Sequence, residues 1–211
     1  MEKAMKSCEA ISTTVKREID SLKKNNVGFA PVLIELLAEG NPLTLEQLAA
    51  KGGWPIEKIR QDLVEHPSVE YDDHGDIVGF VLTLKPTPHR FDFKGKTVYG
   101  WCASDALFFP LLLKKSGVVS SFCPVTKKEI RIQVTPDRVL RVDPPEAVVS
   151  SVRPDEKVKD IRKDICSVGL FFSSREAAED WLTAHPEGFL HSVKEDFEVH
   201  REVFAELGWL K

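Results

Sequence analysis

The chain has 211 residues, 42% of them apolar and 29% charged, and its 33 Asp and Glu against 29 Lys and Arg leave a net charge of −4. Such a chain is too apolar for disorder and long enough to bury a core, and its mild acidity offers no electrostatic footprint for general nucleic-acid or anionic-membrane binding. No apolar run approaches the roughly 20 residues of a membrane-spanning helix, and residues 1–8 lack the apolar block of a secretory signal, which points to a cytoplasmic protein.

The first segment reads as helices. Ile11, Val15, Ile19 and Leu22 form one apolar stripe over residues 8–22. Pro31 opens a second helix over residues 32–38, ended by Gly40, Asn41 and Pro42. Thr44 and Gln47 have the spacing of a capping box for a third, Gly52 and Gly53 turn the chain, and Trp54-Pro55 leads into a fourth over residues 56–64. The period then shortens: Val69 and Tyr71 alternate, residues 72–76 form a turn, and Ile77, Phe80, Leu82 and Leu84 predict a further strand. Helix, turn, helix and hairpin is a winged-helix outline. Residues 43–84, however, carry eight acidic side chains against three basic ones, a net −5 that repels phosphates. The unit is read as structural or interacting, with no nucleic-acid partner.

Lys85-Pro86-Thr87-Pro88 is the predicted linker, dividing the chain at 1–85 and 86–211. Beyond it, Phe91 and Phe93 lead to a turn at Gly95, a strand follows to Trp101, and residues 106–113 are strongly apolar. Val118-Val119 and the alternating Ile130, Ile132 and Val134 bracket a turn at Cys123-Pro124. Strands are also predicted over 139–142, 147–152 and 165–172, a helix from a Ser174 cap through Leu182, and a last helix over 193–207. The fold class is therefore α+β: a helical, winged-helix-like N-terminal unit followed by a mostly antiparallel α+β unit.

Chemistry concentrates at the cysteines. Cys8, Cys102, Cys123 and Cys166 are widely spaced, with no Cys-x-x-Cys pair, so neither a zinc site nor a disulfide framework is expected. Cys102 and Asp105 fall at a strand-to-helix junction, where i, i+3 spacing places thiol and carboxyl on one face. Two readings stand side by side: a helix capped by Ser104 or Asp105 over a packing cysteine, or a reactive pair in which the helix start gives Cys102 thiolate character. At Asp105 the helix start favours ionisation and burial opposes it. Period-2 alternation puts Cys166 on a core face with Val168, Leu170 and Phe172; it is functional only if it meets Cys102. Cys123 reads as structural and Cys8 as incidental. The six histidines form no evident site, no phosphate loop or G-x-S-x-G elbow is present, and the basic residues at 157, 159, 162 and 163 alternate with acidic ones as a solvated face.

Trp101-Cys102-Ala103-Ser104-Asp105 resembles the bacterial organomercurial (alkylmercury) lyases. The resemblance extends through Glu70-Tyr71-Asp72, residues 75–79, 82–84 and 119–123, Asp164-Ile165-Cys166, Phe171-Phe172 and residues 178–181. It implies protonolysis of the carbon–mercury bond of alkyl- and arylmercury compounds, with Cys102 and Cys166 as mercury-binding cysteines and Asp105 as the proton shuttle and a further mercury contact. It also implies that residues 86–211 form the catalytic unit and that Cys123 is structural. No added cofactor is implied, because the metal belongs to the substrate; small thiols and mercuric reductase are the implied acceptors of Hg(II). One departure is visible: many relatives carry a second cysteine after the distal one, where this chain has Ser167. Residues 1–7 are poorly matched. The alternative is a non-catalytic thiol-based mercury binder or sensor of the same fold.

Overall fold

The computed structural model describes residues 20, 27–64, 66, 68–152 and 160–210. Of the predicted first helix only Asp20 is among them, so that stripe and Cys8 lie outside the described residues, as do positions 157 and 159 of the predicted solvated face.

Three helices come first: α1 (Ala30–Leu37), α2 (Leu45–Gly52) and α3 (Ile56–Val64). The reasons are local. Pro31 sits in the first turn of α1, where a missing N–H costs nothing. Thr44 caps α2 by accepting the Gln47 N–H at 3.2 Å, while the Gln47 side chain accepts the Thr44 N–H at 2.9 Å. Gly53 ends α2 in the left-handed conformation that glycine adopts without strain. Leu33, Ile34, Leu37, Leu48, Ile59 and Leu63 turn inward as one core.

An eight-stranded antiparallel sheet follows, in the order β1 (Glu70–Tyr71), β2 (Ile77–Phe80), β3 (Leu82–Thr83), β5 (Lys96–Gly100), β4 (His89–Phe93), β6 (Gly117–Phe122), β7 (Glu129–Val134), β8 (Val139–Asp143). Along β7, Ile130, Ile132 and Val134 are buried and the residues between them exposed, as the alternation predicts. The β4–β5 hairpin closes through Lys94 and Gly95, both at positive φ, the conformation of a two-residue type I′ turn. One predicted strand is broken. Phe80 pairs with Leu82, so β2 and β3 form a hairpin turning on Val81 alone, at φ 64°. A β-branched residue in that region is strained, at a cost on the order of 1–3 kcal/mol.

The sheet runs without a break past the predicted linker, because β3 pairs with β5. Helix α4 (Ala103–Leu113) packs between the sheet, α1 and the last helix, and is buried on nearly every side, which explains why its sequence is apolar all round. A three-stranded sheet, β10 (Phe171–Phe172), β9 (Val148–Ser151) and β11 (Phe189–Ser192), lies beside it. The short α5 (Ile161–Asp164), then α6 (Glu179–Ala184) and α7 (Val193–Glu206), complete the chain. Among the described residues no helix is long and apolar enough to cross a membrane.

Residues 165–172 depart from the predicted strand. Cys166–Val168 form a 3₁₀ turn after α5, and only Phe171–Phe172 pair as a strand. A short apolar run does not distinguish a buried strand from a buried turn. Here α5, capped when the Asp160 carboxylate accepts the Lys163 N–H at 3.1 Å, carries helical winding forward to Cys166.

Candidate active site

Cys102 is itself the N-cap of α4, so neither Ser104 nor Asp105 is the cap. Its Sγ accepts the Asp105 N–H at 3.4 Å, and Asp105 Oδ2 accepts the Cys102 N–H at 2.9 Å. This reciprocal pair fixes the thiol and the carboxyl on one helix start.

Cys166 is brought to them by backbone clamps. Ser150 on β9 donates its hydroxyl to the Val168 carbonyl at 2.8 Å and accepts the Leu170 N–H at 2.9 Å. From the other side, the Ala103 N–H donates to the Gly169 carbonyl at 2.9 Å. Gly169 permits a close approach: a Cβ there would stand 3.0 Å from Cys102 Cβ, tighter than ordinary packing, and 3.5 Å from its Sγ. Gly100 performs the same service behind the helix, since a Cβ there would meet Ala106 N at 2.7 Å. The Gly169 backbone, at φ −83°, suits alanine, so Gly169→Ala acts on the site by bulk alone. We expect it to lower kcat/KM by about tenfold to a hundredfold with little change in melting temperature, measured by steady-state kinetics and thermal unfolding.

The ligand atoms of Cys102, Asp105 and Cys166 all lie within 4.8 Å of one another, and the three residues are 4–6% exposed. They open onto a cavity of about 150 Å³. Its walls are mainly apolar, with Phe80, Val81, Phe108, Leu112, Phe204 and Trp209 prominent, and α1 adds Ala30 and Ile34.

Burial governs the charge state of this group. It raises the Asp105 carboxyl to about 7, against hydrogen bonds from Cys102 and the influence of His200. The Cys102 thiol stands well above its ordinary value, through the hydrogen bond with Cys166, burial and the neighbouring carboxylate. For Cys166 the hydrogen bond with Cys102 pulls downward, yet burial and Asp105 leave it raised. The expected thiolate at the helix start is therefore overridden, and the resting thiols hold their protons. A helix terminus supplies only partial charge, which does not offset the removal of water from a sulfur anion.

Three supports escaped the sequence reading. Glu70 is buried on β1, where its carboxylate accepts the Trp101 indole N–H at 3.0 Å and the Thr83 hydroxyl at 2.6 Å, and pairs with Arg162. It thus ties the residue before Cys102 to the helix before Cys166, while Arg162 itself stays exposed along the predicted solvated face. Asp196 on α7 accepts the Ser104 hydroxyl at 2.9 Å and lies near His191 and His200, bringing together two histidines nine positions apart. Gly169 had a legible signal, an isolated glycine inside an apolar run, which marks close backbone approach.

Cys123 stands apart from the convergent group, buried at the end of β6, where its Sγ accepts the Thr126 N–H at 3.5 Å. Burial raises this thiol, but hydrogen bonds from Thr126 and Ser173 outweigh it and bring it to about 6. Cys102, Cys123 and Cys166 are all free thiols.

Residues 82–205 match the sequence profile of the alkylmercury lyase family, and residues 20–81 match that of the helix-turn-helix domain of alkylmercury lyase. The chain is 47% identical over 177 residues to an alkylmercury lyase of Staphylococcus epidermidis, covering 84% of this chain and 81% of the relative. It is 46% identical over 173 residues to that of Bacillus cereus, covering 82% and 78%. In fold it resembles the crystal structure of the mercury-bound form of MerB2, with a TM-score of 0.70 and 21% identity over 86% of this chain and 91% of that one.

Proposed function

The chain belongs to the alkylmercury lyase family, and from that premise we propose that Cys102, Cys166 and Asp105 act together on a single mercury atom. The enzyme is a carbon–mercury lyase that converts alkyl- and arylmercury compounds to a hydrocarbon and Hg(II). The family favours this reading over a non-catalytic mercury binder. The observation that carries the assignment of residues is the convergence of two thiols and one carboxyl within 4.8 Å at a mainly apolar cavity.

Mercury(II) is soft and prefers sulfur. In R–Hg–X the first thiol forms an S–Hg bond as X⁻ leaves, and its proton passes to the Asp105 carboxylate. Formation of this bond drives the deprotonation that the buried thiol resists at rest. The second thiol adds to mercury as its S–H proton is released to solvent, raising the electron density on the metal and weakening the Hg–C bond. Asp105 then protonates the departing carbon, which leaves as R–H. Two thiols and R–Hg–X yield R–H, thiolate-bound Hg(II), X⁻ and one proton. A carboxyl poised near 7 both accepts and returns a proton at neutral pH.

The remaining roles belong to the same proposal. Small thiols or mercuric reductase collect Hg(II) from the two cysteines, and Cys123 is structural. Residues 86–211 form the catalytic unit and 1–85 a helical unit that supplies part of the cavity wall; the cytoplasm is the compartment. With excess small thiol, phenylmercury should give many equivalents of benzene per protein chain, measured by headspace gas chromatography. Release that stops at one equivalent would make the protein a binder.

A further inference from the structure

We propose that Val81 is a specificity-determining residue whose side chain limits the size of the organic group that the cavity beside Cys102 admits. This rests on the lyase reading above and adds to it the element that selects among organomercurials.

Val81 is the sole residue between the paired Phe80 and Leu82, and it holds φ 64°. Glycine takes that conformation freely, whereas a β-branched side chain resists it. The turn itself therefore has no use for the isopropyl group. Its backbone role is complete without it, since the Val81 carbonyl accepts the Trp101 N–H at 3.1 Å and any residue offers that carbonyl. The side chain does have a use in the cavity. Val81 lines it together with Cys102 and packs, half-buried, against the core. A strained residue at the wall of a reactive site is where such strain is expected to serve function.

The volume is what makes one side chain matter. A cavity of about 150 Å³ takes a benzene-sized guest with little to spare. Phe80, Phe108, Leu112, Phe204 and Trp209 surround it with apolar surface, so they discriminate by shape rather than by hydrogen bonding. One methylene in such a pocket changes selectivity by roughly 10- to 200-fold. Phe80 is fully buried and Phe108 is wedged edge-on against Phe109 and Phe204, so neither can yield. Val81, on a one-residue turn, is a wall position where volume can change without moving a packed helix.

Val81→Gly enlarges the cavity and relieves the turn, while Val81→Ile keeps the turn strain and adds one methylene. The experiment measures kcat/KM for methylmercury, phenylmercury and 1-naphthylmercury with wild type and both variants, folding being checked by circular dichroism. Val81→Gly should raise the naphthyl-to-methyl ratio by about tenfold or more, and Val81→Ile should lower the phenyl-to-methyl ratio by about tenfold. Ratios within about twofold of wild type in either folded, active variant overturn the proposal. Failure of the wild type to cleave any of the three compounds would instead defeat the lyase reading itself.

Discussion

Cys166→Ala protein is expected to bind phenylmercury through Cys102 and to release no benzene, with the cleavage rate reduced by at least about a thousandfold. A single sulfur on mercury gives a two-coordinate S–Hg–R adduct, in which nothing further raises electron density at the metal or weakens the carbon bond. The loss should match that of Cys102→Ala, because groups that act as a unit do not contribute additively. Folding should survive. Cys166 sits in a 3₁₀ turn held by Ser150 and Ala103, and none of those hydrogen bonds involves its sulfur. Single-turnover benzene release, with circular dichroism as the control, reads the result. Full release by Cys166→Ala protein would defeat the two-thiol mechanism.

Asp105→Asn should separate mercury capture from protonolysis. The amide oxygen still accepts the Cys102 N–H, so the helix start keeps its shape, but the side chain no longer carries a transferable proton. Mercury binding should persist while cleavage falls by about 10²- to 10⁴-fold. The same variant tests the electrostatics. In the folded protein Asp105 titrates at about 7, above its ordinary value of 3.8, so between those limits the native state binds a proton that the unfolded chain releases. Stability from this group is thus fully present below pH 4 and is lost as the pH rises through 7. Asp105→Asn should therefore be more stable than wild type at pH 8 by roughly 2–4 kcal/mol and gain nothing at pH 4. Urea unfolding at the two pH values measures this, and equal stability at pH 8 would mean that the carboxylate is not penalised by burial.

Local chemistry was legible in the sequence where a short pattern determines structure. The Thr44–Gln47 capping box, the alternation in β7, the turn at Gly95 and the i, i+3 placement of Cys102 and Asp105 all follow from neighbours along the chain. Cys166 shows the boundary. Its apolar run fits either a strand or a turn, and only α5 behind it and the Ser150 clamp decide the matter. Its meeting with Cys102 across 64 positions has no local signature, and the family resemblance supplied what periodicity lacked. The thiol charge state has no local signature for the same reason. A helix start is visible in sequence, whereas the burial that overrides it is assembled from α4, the sheet and the 3₁₀ turn. Glu70 and Asp196 likewise have no local signature of burial, and only tertiary structure gives each its buried partners.

The claim that two sulfurs converge on one mercury is most directly tested by mercury X-ray absorption spectroscopy of the protein after one turnover of phenylmercury without added thiol. The account predicts two sulfur neighbours per mercury and no remaining carbon neighbour in the wild type, with one sulfur and one carbon in Cys166→Ala. One sulfur neighbour in the wild-type product, or an unchanged sulfur count on removal of Cys166, would contradict it.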